Sequence, residues 1–119
     1  MKYWCDGSLK KICVTDEEGN VFLEDIEGTN NQNEYRSMIL ALKKAQPGDT
    51  IYADSQLIVN QLTKGWKVKA QHLYPLFCEA NGLKEGKTIG WVSRTKNRAG
   101  WILEGMIGNY KKDKFELLR

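Results

Sequence analysis

Nowhere in the 119 residues is there a run of ~20 apolar side chains, the length a membrane-spanning helix requires. The opening residues, Met1 to Lys11, likewise lack the apolar stretch of a secretory signal peptide. A chain confined to the cytoplasm, with no membrane contact, is the expectation. Cysteine is scarce: Cys5, Cys13 and Cys78 are an odd number with no C-x-x-C spacing. That argues against a disulfide framework and a thiolate zinc site, and it fits a reducing compartment. The single histidine, His72, falls in a predicted helix beside Leu73, where a structural place suits it better than catalysis. There is no internal repeat, low-complexity tract or Pro/Ser-rich linker. Residues 1–119 therefore read as one domain, with 111–119 as a basic tail.

What is present can build a core. Hydrophobic residues make up 41% and charged residues 28%, a balance that excludes a compositionally disordered chain. The net charge of +3 conceals a division. Residues 1–60 carry 6 Lys and Arg against 10 Asp and Glu, whereas residues 61–119 carry 12 against 5. The acidic half includes a run from Asp16 to Glu27 with six carboxylates and no base. The basic half groups Lys64, Lys67 and Lys69, then Arg94, Lys96 and Arg98. Such a distribution suits a protein that grips a polyanion on one surface, although solvated charges can also fall this way.

The pattern predicts short strands at Lys2–Cys5, Lys10–Thr15 and Val21–Asp25, an antiparallel meander with the acidic run facing solvent. A helix follows, capped within Thr29-Asn30-Asn31, with Tyr35, Met38, Ile39 and Leu42 at helical spacing. Lys43 and Lys44 suit its last turn, and Pro47-Gly48 stops it. A buried strand is expected over Thr50–Ala53, helices over Asp54–Leu62 and Val68–Asn81, a strand over Lys87–Val92, and a final helix from Asn97. The order βββαβααβα predicts an α/β domain: a five-stranded mixed sheet with helices packed on it.

Three carboxylates sit in unusual surroundings for surface charges. Asp6 and Asp54 each follow a bulky run and one small residue at a strand end, where ligands bind in α/β sheets. Glu34 lies one turn into the first helix, just before the apolar stripe. Each has an ordinary alternative. Asp6-Gly7 is a hairpin signal, Asp54 is a good helix N-cap, and Glu34 suits the positive end of its own helix. Three converging carboxylates would repel one another unless cations neutralised them, and hard divalent ions take oxygen ligands together with substrate phosphate. That chemistry is metal-assisted phosphodiester cleavage.

The stretch Thr29-Asn30-Asn31-Gln32-Asn33-Glu34-Tyr35 resembles the T-N-N-x-x-E helix start of type 1 ribonucleases H. Ile51-Tyr52-Ala53-Asp54-Ser55-Gln56 resembles their second aspartate motif, Asp6-Gly7-Ser8 the first, and Trp91-Val92-Ser93-Arg94-Thr95-Lys96-Asn97 the W-V-P-R-x-x-N motif of their last strand. The resemblance covers most of residues 2–104. It implies the ribonuclease H-like fold and cleavage of the RNA strand of RNA–DNA hybrids. It further implies two Mg2+ (or Mn2+) ions, with Asp6 bridging them and Glu34 and Asp54 on the leaving-group side. Asn30, Asn31 and Gln56 match positions that contact the hybrid's minor groove and sugars. Lys64, Trp66 and Lys67 mix cations with an aromatic ring, as strand-binding surfaces do; packing between two helices is the alternative for Trp66. No protein partner is evident, and a monomer is expected.

The family's fourth carboxylate is missing. Its place, four residues after Asn97, holds Trp101, which cannot ligate a metal; a one-residue slide puts Gly100 there instead. Glu104, a turn later, is a candidate substitute. With three ligands, one ion would be weakly held, and the expectation is weak or Mn2+-preferring cleavage. The alternative is a hybrid-binding module that has lost the chemistry.

Overall fold

The computed structural model of the protein describes residues 1–105. The basic tail expected at 111–119 lies outside the described residues. Five strands, β1 (Lys2–Gly7), β2 (Lys11–Asp16), β3 (Val21–Asp25), β4 (Thr50–Ala53) and β5 (Thr88–Trp91), form one sheet in the order β3-β2-β1-β4-β5. The meander β1–β2–β3 is antiparallel, and β4 and β5 run parallel to β1. Helices α1 (Asn30–Lys44), α2 (Gln56–Thr63), α3 (Tyr74–Leu83) and α4 (Arg98–Leu103) complete the βββαβααβα order. None of these helices is long and apolar enough to cross a membrane.

Local chemistry sets the boundaries. Thr29 caps α1 through the backbone N–H of Gln32, and the Gln32 side chain returns the bond to the Thr29 N–H. This reciprocal box satisfies two N–H groups that a helix start otherwise leaves open. Ser55, not Asp54, caps α2 by accepting from Ile58 N. The third helix begins later than the Val68 expected from the sequence. A single 3-10 turn at Gln71–Leu73 precedes α3, and Pro75 stands in the first turn of the helix. Proline is tolerated there because its missing N–H would have had no intrahelical acceptor. His72 consequently lies in the 3-10 turn and is exposed.

Alternation along the strands divides the interior into two clusters. Tyr3, Cys5, Val14 and Ile51 face α1–α3 and pack with Tyr35, Met38, Leu42, Ile58 and Leu62, all six of the larger helix and β4 side chains being less than 2% exposed. On the opposite face Trp4 and Cys13 meet Ala99 of α4, with Tyr52, Val92, Ile102 and Leu103 partly buried around them. Arg98 lies over the Trp4 ring at 4.1 Å, and Trp4 and Tyr52 pack with ring centroids 5.9 Å apart.

Two lysines join the helix ends. Lys87 Nζ donates to the carbonyls of Leu42 (3.0 Å) and Leu83 (3.1 Å), and Lys84 Nζ to that of Leu62. These are last-turn carbonyls of α1, α3 and α2, groups that the helices leave without intrahelical donors. The acidic run also departs from expectation at one point. Asp16 is 5% exposed rather than solvent-facing, because its oxygens accept from Glu18 N, Asn20 N and Asn20 Nδ2 in the β2–β3 turn.

Candidate active site

The parallel register Trp4↔Tyr52 places Asp6 and Asp54, each two residues further on, side by side at the carboxyl ends of β1 and β4. Glu34 reaches this edge from α1 because the helix lies almost on the backbone of β1. A Cβ added to Gly7 would be 2.3 Å from the Asn33 carbonyl carbon and 2.6 Å from Glu34 N. No residue but glycine fits that approach without moving the helix. Asn33, fully buried, secures the same contact by donating to the carbonyls of Ser8 and Ile26.

Each carboxylate is free of the ordinary role that sequence leaves open for it. The hairpin turn is made by Ser8 and Lys11, whose N–H and carbonyl bond at 2.8 Å, so Asp6 stays within β1 opposite Cys13. The α2 cap belongs to Ser55. Glu34 accepts from Gly7 N at 3.0 Å instead of from its own helix. One oxygen from each of Asp6, Glu34 and Asp54 lies within 4.8 Å of the other two.

The electrostatics follow from this crowding. Burial, then the charges of Asp6 and Asp54, raise the Glu34 carboxyl well above the usual carboxylate range. Burial and then Asp54 raise Asp6 as well. Without a cation, the crowding favours a proton on Glu34 beside Asp6. A proton held between carboxylates marks a deficit of positive charge. The donor set, three oxygens of negative residues at one strand edge, fits a hard divalent cation that would displace that proton.

The fourth position needs correcting. The side of α4 turned toward the carboxylates is that of Gly100, not Trp101: a Cβ on Gly100 would lie 3.2 Å from Asp6 Oδ2 and 3.8 Å from Asp54 Oδ2. The helix starts at the Asn97 cap, and that phase turns Trp101 away, its indole N–H donating to the Thr95 carbonyl at 3.1 Å. The one-residue slide is therefore the right correspondence. Glu104 does not join the cluster. It is exposed and pairs with Arg94 at 3.2 Å. The positive charge of Arg94, one of the basic residues grouped in the sequence, favours the ionised form of Asp6 and partly offsets the effect of burial and Asp54.

The remaining residues singled out in the sequence form two groups. Asn30, Asn31 and Gln56 are exposed in the first turns of α1 and α2, the helix ends nearest the carboxylates. Lys64, Trp66 and Lys67 are exposed beyond the far end of α2, roughly 12 Å along the helix axis from Gln56. Trp66 is 49% exposed, so it does not serve as packing between helices.

No model of a known protein family matches the chain. By sequence it is 38% identical over 76 residues to the bifunctional protein Rv2228c of Mycobacterium tuberculosis. The match takes in 58% of this chain and 21% of that protein, so the chain spans about a fifth of the length of the curated relatives it matches. The N-terminal ribonuclease H domain of Rv2228c has a similar structure, with a TM-score of 0.67 and 26% identity over 82% of this chain and 90% of that one. Ribonuclease H1 from the halophilic archaeon Halobacterium salinarum superposes with a TM-score of 0.71 at 23% identity, covering 91% and 97% of the two chains. LC11-RNase H1, isolated from compost, matches with a TM-score of 0.68 and 31% identity over 82% of this chain and 88% of that one. The same enzyme was also solved in complex with an RNA/DNA hybrid.

Proposed function

Because the chain belongs to the type 1 ribonuclease H family, we propose that it is an endonuclease hydrolysing the RNA strand of RNA–DNA hybrids with divalent metal ions. The observation that carries this reading is the convergence of Asp6, Glu34 and Asp54 within 4.8 Å. These three side chains would hold the ions, and bound Mg2+ or Mn2+ supplies a Lewis acid that makes water a nucleophile near neutral pH. The protein's own part is to fix three oxygens in place before substrate arrives. Gly7 and Asn33 hold Glu34 against β1, and the strand register sets Asp6 beside Asp54.

Substrate selection follows from the exposed amides and cations. Asn30, Asn31 and Gln56 can both donate and accept, which suits the ribose 2′-hydroxyls that distinguish RNA from DNA. Lys64 and Lys67 would neutralise backbone phosphates further along the duplex, with Trp66 lying against a sugar or base. Binding should therefore weaken steeply as salt rises.

Cleavage of a labelled hybrid with Mg2+ and with Mn2+ tests the proposal. Strand scission is expected with both, faster with Mn2+, and Asp54→Asn should abolish it by removing charge while keeping shape. A folded protein that cuts with neither ion would overturn the reading.

Gly100 favours a second reading, a hybrid-binding module without turnover. The helix position facing Asp6 and Asp54 has no side chain, and Glu104 is paired with Arg94 instead of compensating. Gly100→Asp separates the two. A gain in cleavage rate with Mg2+ supports the nuclease, whereas salt-sensitive hybrid binding with no cleavage by either protein supports the module.

A further inference from the structure

The parallel pairing of β1 with β4 ends at Trp4↔Tyr52, just short of the two aspartates. Beyond that rung the strands are joined by a side chain from a third element. Asn97, 0% exposed, donates through Nδ2 to the Cys5 carbonyl of β1 (3.0 Å) and to Asp54 Oδ2 (3.0 Å). Its Oδ1 accepts from Ala99 N at 3.1 Å and so caps α4. Three of the amide's hydrogen-bonding positions are thus occupied, by three different elements. The cap alone would not need burial, nor an amide: serine or aspartate would serve as well. Asp54 is the part of this arrangement that a cap does not explain.

We infer that Asn97 is a positioning residue for Asp54. It holds Asp54 through Oδ2, so that the carboxylate is fixed in place and would present its remaining acceptor capacity to a metal ion. The inference rests on the metal-dependent function proposed for the site. A neutral donor is the right chemistry for the task. It fixes the carboxylate's rotation without neutralising the charge that attracts the ion, which a lysine or arginine at the same place would do. The same side chain ties α4, and Gly100 with it, to the strand ends that carry Asp6 and Asp54. Partners of this kind, one bond removed from a metal, typically change metal affinity 10–100-fold when replaced.

Asn97→Ser tests the idea, since serine keeps the cap and cannot span to Asp54 and Cys5. Mn2+ uptake is followed by electron paramagnetic resonance at a temperature where circular dichroism shows both proteins folded. The dissociation constant should rise at least about tenfold. A residue that merely caps α4 would lower the melting temperature at most and leave Mn2+ affinity within twofold, and that result overturns the inference. Wild-type protein supplies a second measurement should the variant fail to fold. The Asn97 side-chain amide resonances should move during a Mg2+ titration and saturate with the metal site; an amide that stays still overturns the inference. Wild type that takes up no Mn2+ overturns the metal-dependent function, and this inference with it. Wild type that binds while folded Asn97→Ser binds equally overturns the inference alone.

Discussion

The two faces of the sheet are built differently. Between the sheet and α1, α2 and α3 lie large side chains excluded from water: Tyr35, Met38, Leu42, Ile51, Ile58 and Leu62. On the α4 side Trp4 and Cys13 meet Ala99 of the helix, closed over by partly buried residues and by the Arg98 guanidinium. One face holds the fold together, and among the described residues the helical cover of the other is thin, the six residues of α4. The carboxylates sit where the two meet: Glu34 comes from the thick side, Asn97 and Gly100 come from the thin side, and the aspartates come from the sheet between. A site at such a seam takes Glu34 and its rigidity from α1, its aspartates from the strand ends, and from α4 the Asn97 cap contact and the bare Gly100 position. This division explains how the fourth carboxylate can be absent while the fold remains intact.

The contrast can be broken most severely from the thick side. Leu42→Ala removes a fully buried side chain and should cost about 2–5 kcal/mol, read by urea unfolding. Gly7→Ala comes next, at about 1–3 kcal/mol, because the new methyl must push α1 away from β1. Unlike Leu42→Ala, it should also weaken metal binding, since Glu34 moves with the helix.

The seam itself answers to pH. In the metal-free protein Glu34 and Asp6 titrate above their unfolded values. Their contribution to stability is complete below the ordinary carboxylate range, near pH ~4, and is lost as pH rises through the raised values. The gap in melting temperature with and without Mg2+ should therefore widen from acidic to alkaline pH, and metal uptake at neutral pH should release protons, measurable by calorimetry in two buffers. A constant gap would show that the ion binds elsewhere. The thin side should respond least: Arg98→Ala is expected to cost about 0.5–1 kcal/mol through its lost contact with Trp4.

Much of this architecture is legible in the amino-acid sequence. The strand-end aspartates announce themselves by a bulky run, a small residue and an acid, and the α1 stripe fixes which way Glu34 leans. What sequence does not resolve is which of two roles each acid takes, because Ser8 and Ser55 compete for the same turns and caps. Distances across the chain are hidden too. That Gly7 and Gly100 are both close-approach positions depends on α1 and α4 crossing strands far away in sequence. The slide from Trp101 to Gly100 is set by helical phase, which the Asn97 cap determines and a spacing rule does not. The late start of α3 is readable in principle, since proline belongs in a first turn.

The lysines at the helix ends have an electrical consequence. Lys84 and Lys87 gather the carboxyl ends of α1, α2 and α3, the negative poles of their backbone dipoles, and cover them with cationic charge. The amino ends of α1 and α2 point the other way, past Thr29 and Ser55 toward the carboxylate edge. Two positive helix poles therefore stand beside Asp6, Glu34 and Asp54, where they offset part of the negative charge gathered at that edge.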